Sequence, residues 1–254
     1  MLLRQLIIPI TSLFVLTACG GSSSEGNDTY PSSYLQFYNG SSNSATTTML
    51  LTDSSDVDTT IGSAVFGDAT SLTTVSAASY ALTFTYTDNS GDVQTVLEDS
   101  VTTKKSQKTV LFMVDDYDAP KLLNLSFVRD DELDDQFKIY FANLLGNSKS
   151  MDLYISKSTQ DFTNATFVAT VNQYDFSSAF TYDTGSYILY LTDSGSKDVV
   201  LQTPVYTFSY ETEYVVALRD NAGPLKRKIA LDIIGNTTTV YPLEDINSNA
   251  QFRV

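Results

Sequence analysis

The sequence predicts an all-β protein built as two tandem antiparallel β-sandwich domains. Three observations predict it. Residues that suit a pleated, half-buried surface are abundant, including 16 Tyr and 14 Phe, while Trp and His are absent. Short runs of alternating character recur between turn residues from Tyr34 onward. The runs also repeat in order, at a nearly constant offset of about 104 to 107 residues. No segment keeps a helical period over three turns.

In chain order, the first element is a leader. "MLLRQLIIPITSLFVLTACGG" carries Arg4 and then an apolar run from Leu6 to Leu16. That run is too short for a bilayer span, which takes roughly 20 residues. It suits the core of a signal peptide occupying 1–18. The run ends on Leu16-Thr17-Ala18-Cys19, and Cys19 is the one cysteine of the chain. This resembles the lipobox of bacterial lipoproteins. The resemblance implies cleavage after Ala18, a diacylglycerol thioether on Cys19 and an acylated new N-terminus. Gly20 rather than Asp follows Cys19, which by the same resemblance implies the outer membrane, on its periplasmic or its surface face. Several acyl chains at about 0.8 kcal/mol per buried CH₂ make a durable anchor. Residues 19–33, "CGGSSSEGNDTYPSS", read as the lipidated cysteine and a Gly/Ser tether with a reach of roughly 20 Å.

The body then divides into repeat 1 (34–134) and repeat 2 (135–248). "YALTFTYT" alternates cleanly, with Tyr80, Leu82, Phe84 and Tyr86 on one face and Ala81, Thr83, Thr85 and Thr87 on the other. "LQFYNGSSNS" at Leu35 matches "IYFANLLGNS" at Ile139, setting Phe37 on Phe141 and Asn39 on Asn143. "SYALTFTYTDNSGDV" at Ser79 matches "SYILYLTDSGSKDV" at Ser186. "TVLFMVDDYDAP" at Thr109 matches "EYVVALRDNAGP" at Glu213, with Asp116 on Asp220. A fourth block, "FVRDDELDDQFKIY", matches "YPLEDINSNAQFRV". Each copy is expected to carry a complete strand set and to fold by itself, joined by the acidic "RDDELDDQ". Residues 249–254 are expected to begin a truncated third repeat, since "NAQFRV" sets Phe252 and Val254 where Leu35 and Phe37 stand.

Leu35 to Asn39, Ser79-Tyr80 and Val110 to Asp116 in one copy, with Ile139 to Asn143, Gly185 to Tyr187 and Tyr214 to Asp220 in the other, carry a further resemblance. Together with the lipobox and tether they resemble the tandem "domain of unknown function 4397" repeats of bacterial surface lipoproteins. A typical Ser-Pro-Asp-Ala-Pro after the opening Asn is missing from both copies. The resemblance implies an immunoglobulin-like or transthyretin-like sandwich and no catalytic residue.

Composition narrows the function. Thirty acidic against 15 basic residues give a net charge of -15, a field that repels nucleic acid and anionic head groups. Without His there is no Ser-His-Asp triad, Cys-His dyad or His-bearing zinc site. Ser194-Gly195-Ser196-Lys197 fits the Ser-x-x-Lys spacing, but that chemistry needs a helix and this stretch reads as a hairpin turn. Acidic groups at Asp115, Asp116 and Asp118 and at Asp130 and Asp131 are candidate Ca²⁺ ligands, because Ca²⁺ takes six to eight oxygens. Neither has the order of a self-contained calcium loop, and blocks of acid are usually solvated surface. Leu225-Lys226-Arg227-Lys228 is the one dense basic patch. The leading reading is a non-enzymatic, lipid-anchored envelope protein, a spacer or binding module for a glycan or an envelope protein, with no catalytic residue and no obligatory cofactor. The rivals are a carboxylate hydrolase such as a glycosidase, which needs two carboxyls about 5 to 10 Å apart in a cleft, and a Ca²⁺-dependent adhesin.

Overall fold

The structure, a computed structural model, describes residues 31–129, 132–146, 149–221 and 229–248. Cys19 with the leader and most of the tether, Asp130 and Asp131, the Leu225–Lys228 patch and the start of the expected third repeat lie outside them.

Repeat 1 contributes β1 (Ser32–Asn39), β2 (Thr47–Thr52), β3 (Asp58–Ala64), β4 (Thr73–Ser76), β5 (Ser79–Thr87), β6 (Val93–Thr102), β7 (Gln107–Val114) and β8 (Lys121–Val128). Repeat 2 contributes β9 (Gln136–Asn143), β10 (Met151–Lys157), β11 (Thr166–Val171), β12 (Asp175–Phe176), β13 (Phe180–Asp183), β14 (Gly185–Asp193), β15 (Val199–Gln202), β16 (Tyr206–Phe208), β17 (Glu213–Asp220), β18 (Ile229–Ile234) and β19 (Val240–Leu243). A 3₁₀ turn spans Phe162–Asn164. The first strand begins at Ser32, two residues inside the expected tether, and pairs there with Ser76.

Each repeat is a two-sheet sandwich. In repeat 1 the sheets run β4-β1-β7-β8 and β3-β2-β5-β6. In repeat 2 they run β12-β9-β17-β18-β19, with β13 also on β9, and β11-β10-β14-β15, with β16 also on β14. The two copies share an uncommon feature: the first strand of each lies parallel to a late one. Leu35 pairs with Thr109 across β1 and β7, and Ile139 with Tyr214 across β9 and β17.

Alternation explains the packing within each sandwich. Leu82 and Phe84 of β5 are buried, as their period-two placement predicts, beside Phe37, Met49 and Leu111. Phe137, Ile139, Phe141, Leu189, Leu191 and Leu231 form the corresponding core of repeat 2. The central strands, however, bury both faces. Tyr38 on β1, Val110, Phe112 and Val114 on β7, and Leu125 and Phe127 on β8 meet Tyr140 and Ala142 on β9, Val215 and Ala217 on β17, and Ile234 on β18 in a third apolar core. The molecule is therefore a stack of four sheets, in which the inner sheet of one repeat packs on the inner sheet of the other. Phe127 stacks on Tyr140 with ring centroids 4.1 Å apart, and Phe112 meets Phe176 at 5.4 Å. Short linkage between independent modules is thus only part of the organisation, because the two copies share a core.

The fourth sequence block does not correspond in space. Phe127 lies on β8, the strand beside β7. The place beside β17 is taken by β18, and Tyr241 lies one strand further out on β19. Repeat 2 carries an extra strand that shifts the apparent register of its end.

Candidate functional site

The extra strand helps to form a cleft. The stretch "YTFSYETEY" places Tyr206 on β16, Tyr210 in the loop that follows and Tyr214 at the start of β17. Period two turns Tyr206 and Phe208 to one side, where Phe208 is buried in the repeat 2 core and the two rings meet edge-on at 4.8 Å. Tyr214 is also buried in that core. Beside it Tyr241 pairs with Ile233 across β19 and β18, and its ring meets that of Tyr206 at 5.6 Å. These tyrosines, with Thr212 and the Gly235–Thr239 loop, line a cavity of about 430 Å³. Tyr210 is 73% exposed and Tyr241 51%, so two of the four tyrosines are largely open to solvent. None of the described residues that line it is charged.

The floor of the cleft is the loop from Gly235 to Thr239, and repeat 1 holds it. Buried Lys108 on β7 donates through Nζ to Asn236 Oδ1 at 2.7 Å and to the Gly235 carbonyl at 3.3 Å. Buried Gln36 on β1 donates through Nε2 to the Thr237 carbonyl at 3.3 Å. The Leu72 amide donates to the Asn236 carbonyl at 3.1 Å. Asn236 in turn donates from Nδ2 to Thr212 Oγ1 at 2.8 Å, which ties the floor to the tyrosine loop. Burial lowers the Lys108 ammonium to about 7, against the opposing field of Glu213. Burial also pushes the Tyr206 hydroxyl far above its ordinary range, with Tyr214, Tyr241 and Tyr210 adding to the effect. The Tyr214 hydroxyl moves up for the same first reason. These phenols therefore remain protonated donors across physiological pH.

Below the cleft, the seam between repeats holds a buried polar triad. The Tyr38 hydroxyl donates to Asp232 Oδ2 at 2.7 Å, and Arg219 grips the same carboxylate through Nε at 2.7 Å and Nη2 at 3.2 Å. The Arg219 guanidinium lies over the Phe66 ring at 4.8 Å. Gly67, next in the chain, has φ +81°, and a Cβ there would stand 3.3 Å from Arg219 Nη2, so the turn needs glycine for both backbone and space. Asp232 is fully buried, and this burial raises its carboxyl even with the guanidinium alongside.

Of the carboxylates singled out in the sequence, Asp115, Asp116 and Asp118 fall elsewhere, and Asp130 and Asp131 lie outside the described residues. Asp115 sits at one end of the seam, paired with Lys121 at 2.8 Å and accepting a hydrogen bond from the Tyr174 hydroxyl. Burial first, and Asp115 second, push that hydroxyl up to about 12. Asp116 accepts from the Asp118 amide at 3.1 Å, closing a turn. Asp220 accepts from the Gly146 amide at 3.3 Å. Among the described residues no group of three or more metal-ligating side chains converges. The clefts at Asp53, at Asp183 and at Asp58 each contain one carboxylate, and the tyrosine cleft contains none. Ser194 lies in the turn after β14, while Lys197 Nζ donates to the Tyr154 hydroxyl at 3.0 Å and lies over its ring.

The sequence marks the cleft only in part. Three tyrosines within "YTFSYETEY" were a legible local signal. Tyr241 was not, because only the extra strand brings it alongside.

No family model and no curated protein matches the chain. Among solved structures, the chain is similar to the Bacillus anthracis TIE protein, at 9% identity and a TM-score of 0.23, over 84% of this chain and 44% of that one. It thus spans less than half the length of that protein. A "putative adhesin" from Bacteroides ovatus aligns over 84% of this chain and 95% of its own, at 10% identity and a TM-score of 0.23. A "putative cell adhesion protein" from Bacteroides fragilis aligns over 76% of this chain and 85% of its own, at 10% identity and a TM-score of 0.21.

Proposed function

We propose that this protein is a non-enzymatic, lipid-anchored envelope protein whose paired sandwiches form a rigid body presenting one preorganised binding cleft. The observation that carries this reading is the hold of repeat 1 on the floor of a cleft built by repeat 2. Gln36, Leu72 and Lys108 fix the Gly235–Thr239 loop before any ligand arrives. A site ordered in advance avoids the entropy cost of ordering itself on binding. The cleft combines apolar ring faces with a few placed polar groups, the usual make-up of a ligand site. It lacks the paired carboxylates that a glycosidase requires, which favours binding over hydrolysis. The lipobox-like Leu16-Thr17-Ala18-Cys19 and the Gly/Ser tract after it support outer-membrane anchoring with freedom to tilt.

Fractionation tests the anchor. The full chain expressed in a Gram-negative host should stay with outer membranes through a high-salt wash and take up labelled palmitate. Cys19→Ser should lose both properties. A Cys19→Ser protein that still sediments with washed membranes would defeat the proposal.

A further inference from the structure

We infer that the tyrosine cleft binds a neutral sugar chain, with pyranose rings laid against Tyr210 and Tyr241. The inference rests on the binding reading above and names its ligand class. Three features of the cleft select such a ligand.

The first is charge. The lining is uncharged, within a protein of net charge -15. An anionic ligand would enter against that field, and a cationic one would find no carboxylate in the lining to pair with. The second is the mixture of surfaces. A pyranose has an apolar face of C–H groups and an edge of hydroxyls. Tyr210 and Tyr241, the exposed tyrosines of the lining, supply aromatic surface of the kind on which an apolar sugar face can rest. The hydroxyls of Tyr206, Thr212 and Thr237 rim the same space and can exchange hydrogen bonds with sugar hydroxyls. Thr212 and Thr237 already accept one hydrogen bond each, and a lipid tail would leave the remaining capacity of these hydroxyls unmet, at a cost. The third is shape and rigidity. A cavity of about 430 Å³ lies within the range of small-ligand sites, and it is open enough for a chain to extend beyond it. A second copy of this protein is a poor occupant, since both copies carry the same strong negative charge. The raised Tyr206 and Tyr214 hydroxyls, which stay protonated, keep the donor set constant with pH.

Saturation-transfer NMR and calorimetric titration of the full detergent-solubilised chain test the inference, with cellotetraose, chitotetraose, xylotetraose and maltotetraose as probes. At least one should bind, with an affinity little changed by salt and with the oligosaccharide recovered intact. Tyr210→Ala and Tyr241→Ala, both at exposed rings, should each weaken that binding by about ten-fold or more. Phe167→Ala, at an exposed ring on β11, should leave it unchanged. Failure of all four probes to bind would overturn the inference, as would binding indifferent to both tyrosine variants. A concentration-dependent dimer abolished by Tyr210→Ala, with no sugar bound, would overturn it in favour of self-association. None of these outcomes touches membrane retention through Cys19, so the anchoring proposal stands or falls separately.

Discussion

Asp232 is the residue on which the seam depends most. Taking an aspartate out of water is costly, and Arg219 and Tyr38 offset that cost only together. Asp232→Ala leaves the Arg219 guanidinium buried without its partner and is expected to destabilise the whole chain by about 3–5 kcal/mol. Tyr38→Phe removes one hydrogen bond to a charged group and is expected to cost about 1.5–3 kcal/mol. Urea unfolding measures both, and equal effects would mean that the guanidinium is not the group at stake. Lys108 gives a pH signature. Its folded value of about 7 lies below the ordinary 10.5. Between those values the unfolded chain binds a proton that the folded chain does not, so stability rises with pH. The slope is at most about 1.4 kcal/mol per pH unit. Near pH 10 the rise ends, because the hydroxyls of buried Tyr38 and half-buried Tyr174, raised on folding, act in the opposite sense. The absence of His keeps the range from 7 to 9 quiet otherwise. Unfolding free energies at pH 7, 8 and 9 should therefore climb in the native protein and stay flat in Lys108→Met. A native slope of zero would contradict the burial of that ammonium.

At the scale of elements, the repeated Phe-x-Asn of the sequence has a structural cause. Asn39 donates through Nδ2 to the Ala64 carbonyl at 3.2 Å and accepts from the Ser41 amide. Asn143 donates to the Val171 carbonyl at 3.0 Å and accepts from the Leu145 amide. Each Asn ties the end of the opening strand to the facing sheet and closes its own loop. Tyr80 and Tyr187 repeat in the same way, each donating to the carbonyl four residues earlier, at Ser76 and Asp183. These positions were legible because their bonds are local to one copy. Asn143→Ala is expected to cost about 1–3 kcal/mol and to raise amide exchange first in the loop after β9. Exchange unchanged there, with loss elsewhere, would mean the Asn acts through packing instead. Alternation in "YALTFTYT" predicted a half-buried strand, and Leu82 and Phe84 are buried as expected. "TVLFMV" and "YVVAL" hold the signal that went unread. An apolar run without alternation marks a strand covered on both faces, and β7 and β17 are the strands that bury both faces at the seam. The fourth block misled because β19 has no counterpart in repeat 1.

For the molecule as a whole, the central claim is that two copies of one sandwich have become a single folding unit. Two-copy organisation could be read from the sequence, because it rests on residues in fixed order. The seam could not, because Tyr38, Asp232 and Arg219 come together across about 190 positions of chain and no local pattern marks them as partners. The cleft shares this dependence, since residues of one copy fix its floor and those of the other build its walls. Separated halves would each expose the apolar face that carries Val110 and Phe112 or Val215 and Ala217, a patch of the kind that drives association. Hydrogen exchange followed by mass spectrometry, on the full chain and on its Asp232→Ala variant, tests the claim most directly. Asp232 lies on β18 of repeat 2, far in the stack from β2 and β5 in the outer sheet of repeat 1. One shared unit predicts that the slowest amides of β2 and β5 lose as much protection free energy as those of β10 and β14. Unchanged protection in β2 and β5, beside a loss in β10 and β14, would contradict it.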